Sequence, residues 1–243
     1  MPPYPLSSFR RSQVTLELRF DEAFVLWDRA GALWEAVRRQ FRTLKHSQVT
    51  PNQTTFTGDN RFTLVVSLDR AVITDHKPSG GTTATLDVMS KFAEVVLQHL
   101  EVPVLKRVGT RIIYSLRCKT SDEARAKLAE AMPLSFGEAT FFNIKPTQFS
   151  PHLKIDVSDG ELGYTVQFHK NEKKYEFDPP PEVSDLNLEP RNEAIEELTL
   201  DFDFFTTQPI PTESFDVRVW LAGWNKSLSR DADNLLDRLK SIG

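Results

Sequence analysis

Asp201 and Asp203 come closest, by type and spacing, to a catalytic pattern. They lie two apart in Leu198-Thr-Leu-Asp-Phe-Asp-Phe204, where apolar and polar residues alternate as they do in a strand. Residues at i and i+2 of a strand share a face. Two carboxylates so placed can hold Mg²⁺, and a metal-dependent phosphoryl-handling enzyme could be built on them. The plainer expectation is that both line the solvated face of an amphipathic strand, because no third carboxylate is fixed beside them by the sequence.

A second group is basic. Arg38, Arg39, Arg42, Lys45, Lys106, Arg107, Arg111 and Arg117 could together recognise phosphate. Within it, Arg38, Arg39, Arg42, Arg107 and Arg111 are the candidate nucleic-acid contacts. Against this stands a net charge of −4, which weakens sequence-independent binding to a polyanion. The aromatics that could stack on bases, Phe20, Phe62 and Tyr114, fall on faces that read as buried.

The remaining chemistry is sparse. His46, His76, His99, His152 and His169 are scattered without ligand spacing. His99, late in a helix, reads as a surface residue or a partner of the helix dipole. Cys118 has Arg117 and Lys119 beside it, but strand neighbours point to opposite faces, so an inert thiol is expected. No glycine-rich dinucleotide fingerprint, phosphate-binding loop or nucleophile elbow occurs. No catalytic residue is assigned and no cofactor is expected.

These groups must be positioned by 243 residues of ordinary globular composition, 40% apolar and 26% charged. No run of about 18 apolar residues exists, so no membrane span is expected. The opening Met-Pro-Pro-Tyr-Pro lacks the pattern of a signal peptide, and one cysteine excludes an intramolecular disulfide; the cytoplasm is the expected compartment. Charge is uneven: residues 1–131 carry +5 and residues 132–243 carry −9. That allows a basic face for an acidic partner, or simple attraction between the halves.

The central element is Val108-Gly-Thr-Arg-Ile-Ile-Tyr-Ser-Leu-Arg-Cys118, a strand with Ile112, Tyr114 and Leu116 on its apolar face. Gly109 marks a tight entry or a close backbone approach. Before it, Val14–Phe20 alternates strictly as a strand. Asp21 is expected to cap a helix reaching about Phe41, with Trp27, Ala30, Trp34, Val37 and Phe41 as its buried stripe. Gly31 in that helix suggests close packing. Thr54–Thr57, Phe62–Leu68 and Ala71–Thr74 read as a meander. A helix from about Thr85 buries Leu86, Met89, Ala93, Val96 and Leu100. After the central strand, Thr120-Ser121 followed by Asp122-Glu123 starts a short helix to residue 132.

The second half opens with a strand over Glu138–Ile144. A hairpin follows, turning at Asp159-Gly160 between Leu153–Val157 and Tyr164–Phe168. Residues 178–194 read as a long loop with Pro179–Pro181. The aspartate strand and a terminal helix carrying Trp224, Leu228, Leu235, Leu239 and Ile242 close the chain. The expected fold is α+β: a half with ferredoxin-like split βαβ order over residues 1–132, then an antiparallel sheet-plus-helix half over 133–243. The two halves could form one continuous domain. A duplicated unit is compatible with that order, although no residue-level repeat accompanies it.

Leu16-Glu-Leu-Arg-Phe20, Val108-Gly-Thr-Arg-Ile-Ile-Tyr114 and Leu198-Thr-Leu-Asp-Phe-Asp-Phe204 together resemble a family of sporadically distributed bacterial proteins. There an early strand ends in Arg-Phe, a central one reads roughly Leu-Arg-Tyr-Ile-Asn, a late one roughly Leu-Asp-Ile-Asp, and a helix closes the chain. The likeness spans nearly the whole length through short motifs. It departs at Tyr114-Ser115, where Ile-Asn is usual, and at Trp224, where a histidine-rich helix start is common. It implies a bacterial, cytoplasmic protein and a layout, with no activity to carry over.

The expected function is therefore a non-enzymatic binding protein of the bacterial cytoplasm, an accessory or defence-type module with another protein as its partner. The alternatives are nucleic-acid recognition through the basic residues and the metal-dependent enzyme at Asp201 and Asp203. Self-association is not fixed by the sequence.

Overall fold

The computed structural model describes residues 4–58, 61–78, 82–131, 151–177 and 191–239. Strand β1 (Arg10–Phe20) forms where alternation is strictest, and Val14, Leu16, Leu18 and Phe20 all point into the core. Helix α1 (Val25–Gln40) follows, without a side-chain cap; Asp21 pairs with Lys106 instead of capping. The meander has four strands: β2 (Lys45–Thr50), β3 (Gln53–Gly58), β4 (Phe62–Ser67) and β5 (Arg70–Asp75). Helix α2 (Thr82–Leu100) leads to β6 (Val104–Cys118), the central strand, which begins four residues earlier than its glycine suggested.

Helix α3 (Ser121–Ala131) opens on a capping box. The Glu123 N–H donates to Thr120 Oγ1, and the Lys119 N–H donates to the Glu123 carboxylate. The hairpin of β7 (His152–Ser158) and β8 (Leu162–Phe177) turns at Gly160, whose φ of 97° suits glycine. There the Asp159 carboxylate accepts the N–H groups of Glu161 and Leu162. Strand β9 (Arg191–Thr206) and the short β10 (Ile210–Pro211) precede α4 (Val217–Leu239), whose first N–H groups donate to Asp216. The strand expected at 138–144, most of the loop at 178–194, and Ile242 lie outside the described residues. Residues 191–194 belong to β9.

All strands among the described residues join one ten-stranded antiparallel sheet in the order β2-β3-β4-β5-β1-β6-β9-β8-β7, with β10 beside β6. The run β6-β1-β5-β4, with α1 and α2 as crossovers, is the ferredoxin-like order expected for the first half. The β2–β3 pair widens its edge. The second half adds β9, β8 and β7 to the other side of β6 and so continues the same sheet.

The order strand, helix, meander, helix runs twice: β1-α1-(β2 to β5)-α2, then β6-α3-(β7 to β9)-α4. In both passes the last meander strand pairs antiparallel with the first strand, and β1 pairs antiparallel with β6 at the seam. The second pass begins at β6, so position 132/133 falls inside it.

The helices bury their apolar faces on one side of the sheet, against the even-numbered residues of β1, β6, β8 and β9. Helix α1 differs from expectation in phase. Its buried residues are Leu26, Leu33 and Val37, while Trp27 is 56% exposed and Trp34 only half-buried beneath the Arg38 guanidinium. Two stripes one residue apart share Ala30 and Val37, and the tryptophans pulled the reading to the wrong one. Gly31 packs against nothing within 4 Å. In α4, Val217, Leu221, Leu228, Ala232 and Leu236 are the buried residues, with Trp224 and Leu235 half-buried.

Candidate functional site

The opposite side of the sheet carries no helix among the described residues, and the charged candidates of β6 and β9 lie on it. Register pairing arranges its side chains in rows. Asp203 stands opposite Arg111, Asp201 opposite Ile113, and Phe205 opposite Gly109, which in turn faces Glu17 of β1.

Two arginines organise this face. Arg111 donates from Nε to both Asp201 oxygens at 3.0 Å and from Nη2 to Oδ2 at 2.5 Å. Asp201 is 3% exposed, and its hydrogen bond raises the Arg111 pKa above the ordinary guanidinium value. Arg107 donates to Glu17 at 2.9 Å and to Asp203 at 3.0 Å, and its guanidinium carbon lies 4.7 Å from the centre of the Phe205 ring. Burial pushes the Asp203 carboxyl above its usual pKa despite the attraction of Arg107. Arg19 adds a 3.0 Å contact to Glu17.

Glycines make room for this layer. A Cβ on Gly163 would lie 2.6 Å from the Phe205 ring, and one on Gly109 would lie 2.7 Å from Arg107 Nη1. The close approach expected at Gly109 is thus made by the arginine side chain two residues before it. Phe205 lies on a floor cleared on both flanks, with Arg107 stacked over it.

Farther along the same face, β7 and β8 bring His152 opposite His169, with ring centroids 4.7 Å apart. Burial, then the neighbouring His152, lowers the His169 pKa. No ligand spacing marks this pair in the sequence, because the histidines meet only through hairpin register. Counting outward from the Asp159-Gly160 turn was the one signal that could have found it.

The basic candidates do not form one surface. Arg38 and Arg39 are exposed at the end of α1 and Arg42 follows them, on the helix side of the sheet. Arg107 and Arg111 lie on the other side, engaged with carboxylates. The expectation that Asp201 and Asp203 face solvent is corrected as well: Asp201 is buried and both meet guanidinium groups. No cluster of three or more His, Cys, Asp or Glu suited to a metal ion occurs among the described residues. Cys118 is buried, and that burial raises its thiol pKa.

On the helix side, an open cleft of about 130 Å³ lies between α4 and β8–β9, lined by Tyr164, Phe204, Trp224, Leu228 and Leu235 with Ser227 and Asp231 at its polar positions. Trp224 stacks on Phe204 at 4.4 Å within it. No described helix is long and apolar enough to cross a membrane. Compared with known proteins, the chain matches no family model and no curated protein.

Proposed function

We propose that the protein is a non-enzymatic binding module that docks a protein partner on the sheet face that carries no helix among the described residues. The observation that carries this reading is the internal neutralisation of that face. Its central arginines are committed to Glu17, Asp201 and Asp203 at hydrogen-bonding distance. A polyanion binds through cations free to replace its counterions, and these guanidiniums already hold carboxylates. Beside them over β1 and β3–β5, half-buried Thr15, Thr55, Thr63, Val65, Val72 and Thr74 lie side by side. Such a mixture of methyls and hydroxyls suits the weakly polar surface of another protein. The resemblance to sporadically distributed bacterial proteins supports an accessory role in the bacterial cytoplasm.

The test uses Val65→Lys combined with Val72→Glu, an oppositely charged cross-strand pair that changes the flank without setting like charges opposite each other. A stoichiometric protein partner retained from the native host after nuclease treatment should be lost with this variant at unchanged melting temperature. It should survive Arg38→Glu with Arg39→Glu on the far side. Loss of the complex on nuclease treatment of the wild-type protein would favour nucleic acid and sink the reading.

A further inference from the structure

The β7–β8 hairpin places His152 directly across from His169 on the sheet face opposite the helices. Their ring centroids lie 4.7 Å apart at a tilt of 44°. His152 Nε2 is 3.1 Å from Gln167 Oε1. With that oxygen accepting, Nε2 carries the proton and Nδ1 keeps its lone pair. Metal-binding histidines are commonly held this way, with the second nitrogen donating to an oxygen that fixes the tautomer.

His169 supplies the other half. Its Nδ1 is buried and makes no hydrogen bond, and the hydroxyl of Thr199, its register partner on β9, is also buried without one. Neighbouring polar atoms left unmatched in this way call for a ligand that can satisfy them.

We infer that the His152–His169 pair binds a divalent transition-metal ion of the zinc class. Imidazole suits such ions, whereas Mg²⁺ prefers oxygen ligands in octahedral geometry. Two nitrogens come from the protein and the remaining positions are left to water, with the Thr199 hydroxyl alongside. Asp201 does not join, because both of its oxygens are held by Arg111. The protein therefore supplies two ligands to the ion, and this inference stands independently of the proposed protein partner.

The experiment titrates chelator-stripped protein with Zn²⁺ near neutral pH, by calorimetry and thermal melting, with Mg²⁺ in parallel. Saturable equimolar Zn²⁺ binding is expected, and Mg²⁺ should do nothing. His152→Gln, at an exposed position, should weaken binding by about tenfold or more, and His76→Gln should leave it unchanged. In the wild-type protein, imidazole nitrogen resonances of His152 and His169 should shift together as metal is added, a readout free of any folding defect. Absence of saturable Zn²⁺ binding, equal affinity in His152→Gln, or shifts confined to other histidines would overturn the assignment.

Discussion

Arg111 holds Asp201 across β6 and β9 by three short contacts, and the carboxylate so held is 3% exposed. A carboxylate buried at that depth depends on its partner. Asp201→Asn should cost about 1–3 kcal/mol, the range for a charge-assisted hydrogen bond left incomplete. Asp203→Asn should cost less, because its side chain is 31% exposed. Denaturant titration checks the order. Mg²⁺ should leave the melting temperature unchanged, and a saturable rise lost in the double Asn variant would restore the metal-enzyme reading.

Asp75 is fully buried and accepts four hydrogen bonds, from Arg61 Nε and Nη2, Thr85 Oγ1 and the Lys77 N–H. It ties the end of β5 to the first turns of α2. Asp75→Ala strands the Arg61 guanidinium beside the core and should cost about 3–5 kcal/mol. Arg61→Ala should cost a similar amount. A loss under about 1 kcal/mol for either would mean that solvent replaces the network freely.

Legibility followed the strength of periodic signals. Strand β1, the Asp159-Gly160 hairpin and the α3 capping box were readable because each rests on local chemistry. Strand β2 was not: its only large aliphatic residue, Val49, is 60% exposed, so no alternation announces it. The single sheet was hidden for a different reason. Pairing of β6 with β9 joins segments about 80–100 residues apart, and no local pattern encodes such a partner. The arginine–carboxylate layer was half legible, since strand spacing puts Asp201 and Asp203 on one face, whereas Arg107 lies just before the strand as read from Val108. Only register makes them partners, with Gly163 making room for Phe205 and Gly109 for the Arg107 guanidinium stacked on it.

The phase of α1 separates two adjacent stripes. Leu33 is 1% exposed and Trp27 is 56% exposed. Leu33→Ala should cost about 2–5 kcal/mol, whereas Trp27→Ala should stay within about 1 kcal/mol. Trp34→Ala should fall between them. If Trp27→Ala proved the most damaging in denaturant titration, the helix would face the sheet with the other stripe.

His169 resists protonation in the folded state, first through burial and then through His152. The unfolded chain takes up that proton at about pH 6.5. Below that pH the unfolded state binds more protons than the folded one, so stability falls as pH drops from 6.5 toward the lowered folded value. His169→Gln should flatten this part of the stability profile. An unchanged slope in the variant would assign the acid sensitivity to other groups.

Gly163 and Gly223 offer opposite outcomes for the same substitution. A methyl group on Gly163 would meet Phe205 Cε2 at 2.6 Å and Cζ at 2.8 Å, and the ring it displaces supports Arg107. Gly163→Ala should therefore cost about 1–3 kcal/mol, the range for overpacking, and should loosen the hold of Arg107 on Glu17 and Asp203. Gly223 lies within α4 with nothing inside 4 Å of an added Cβ. There Ala favours the helix over Gly, and Gly223→Ala should stabilise by about 0.5–1 kcal/mol. Thermal melts of the two variants give the sign directly. A neutral Gly163→Ala would mean that Phe205 moves freely on the sheet, and the face would then lack the fixed aromatic floor on which Arg107 rests.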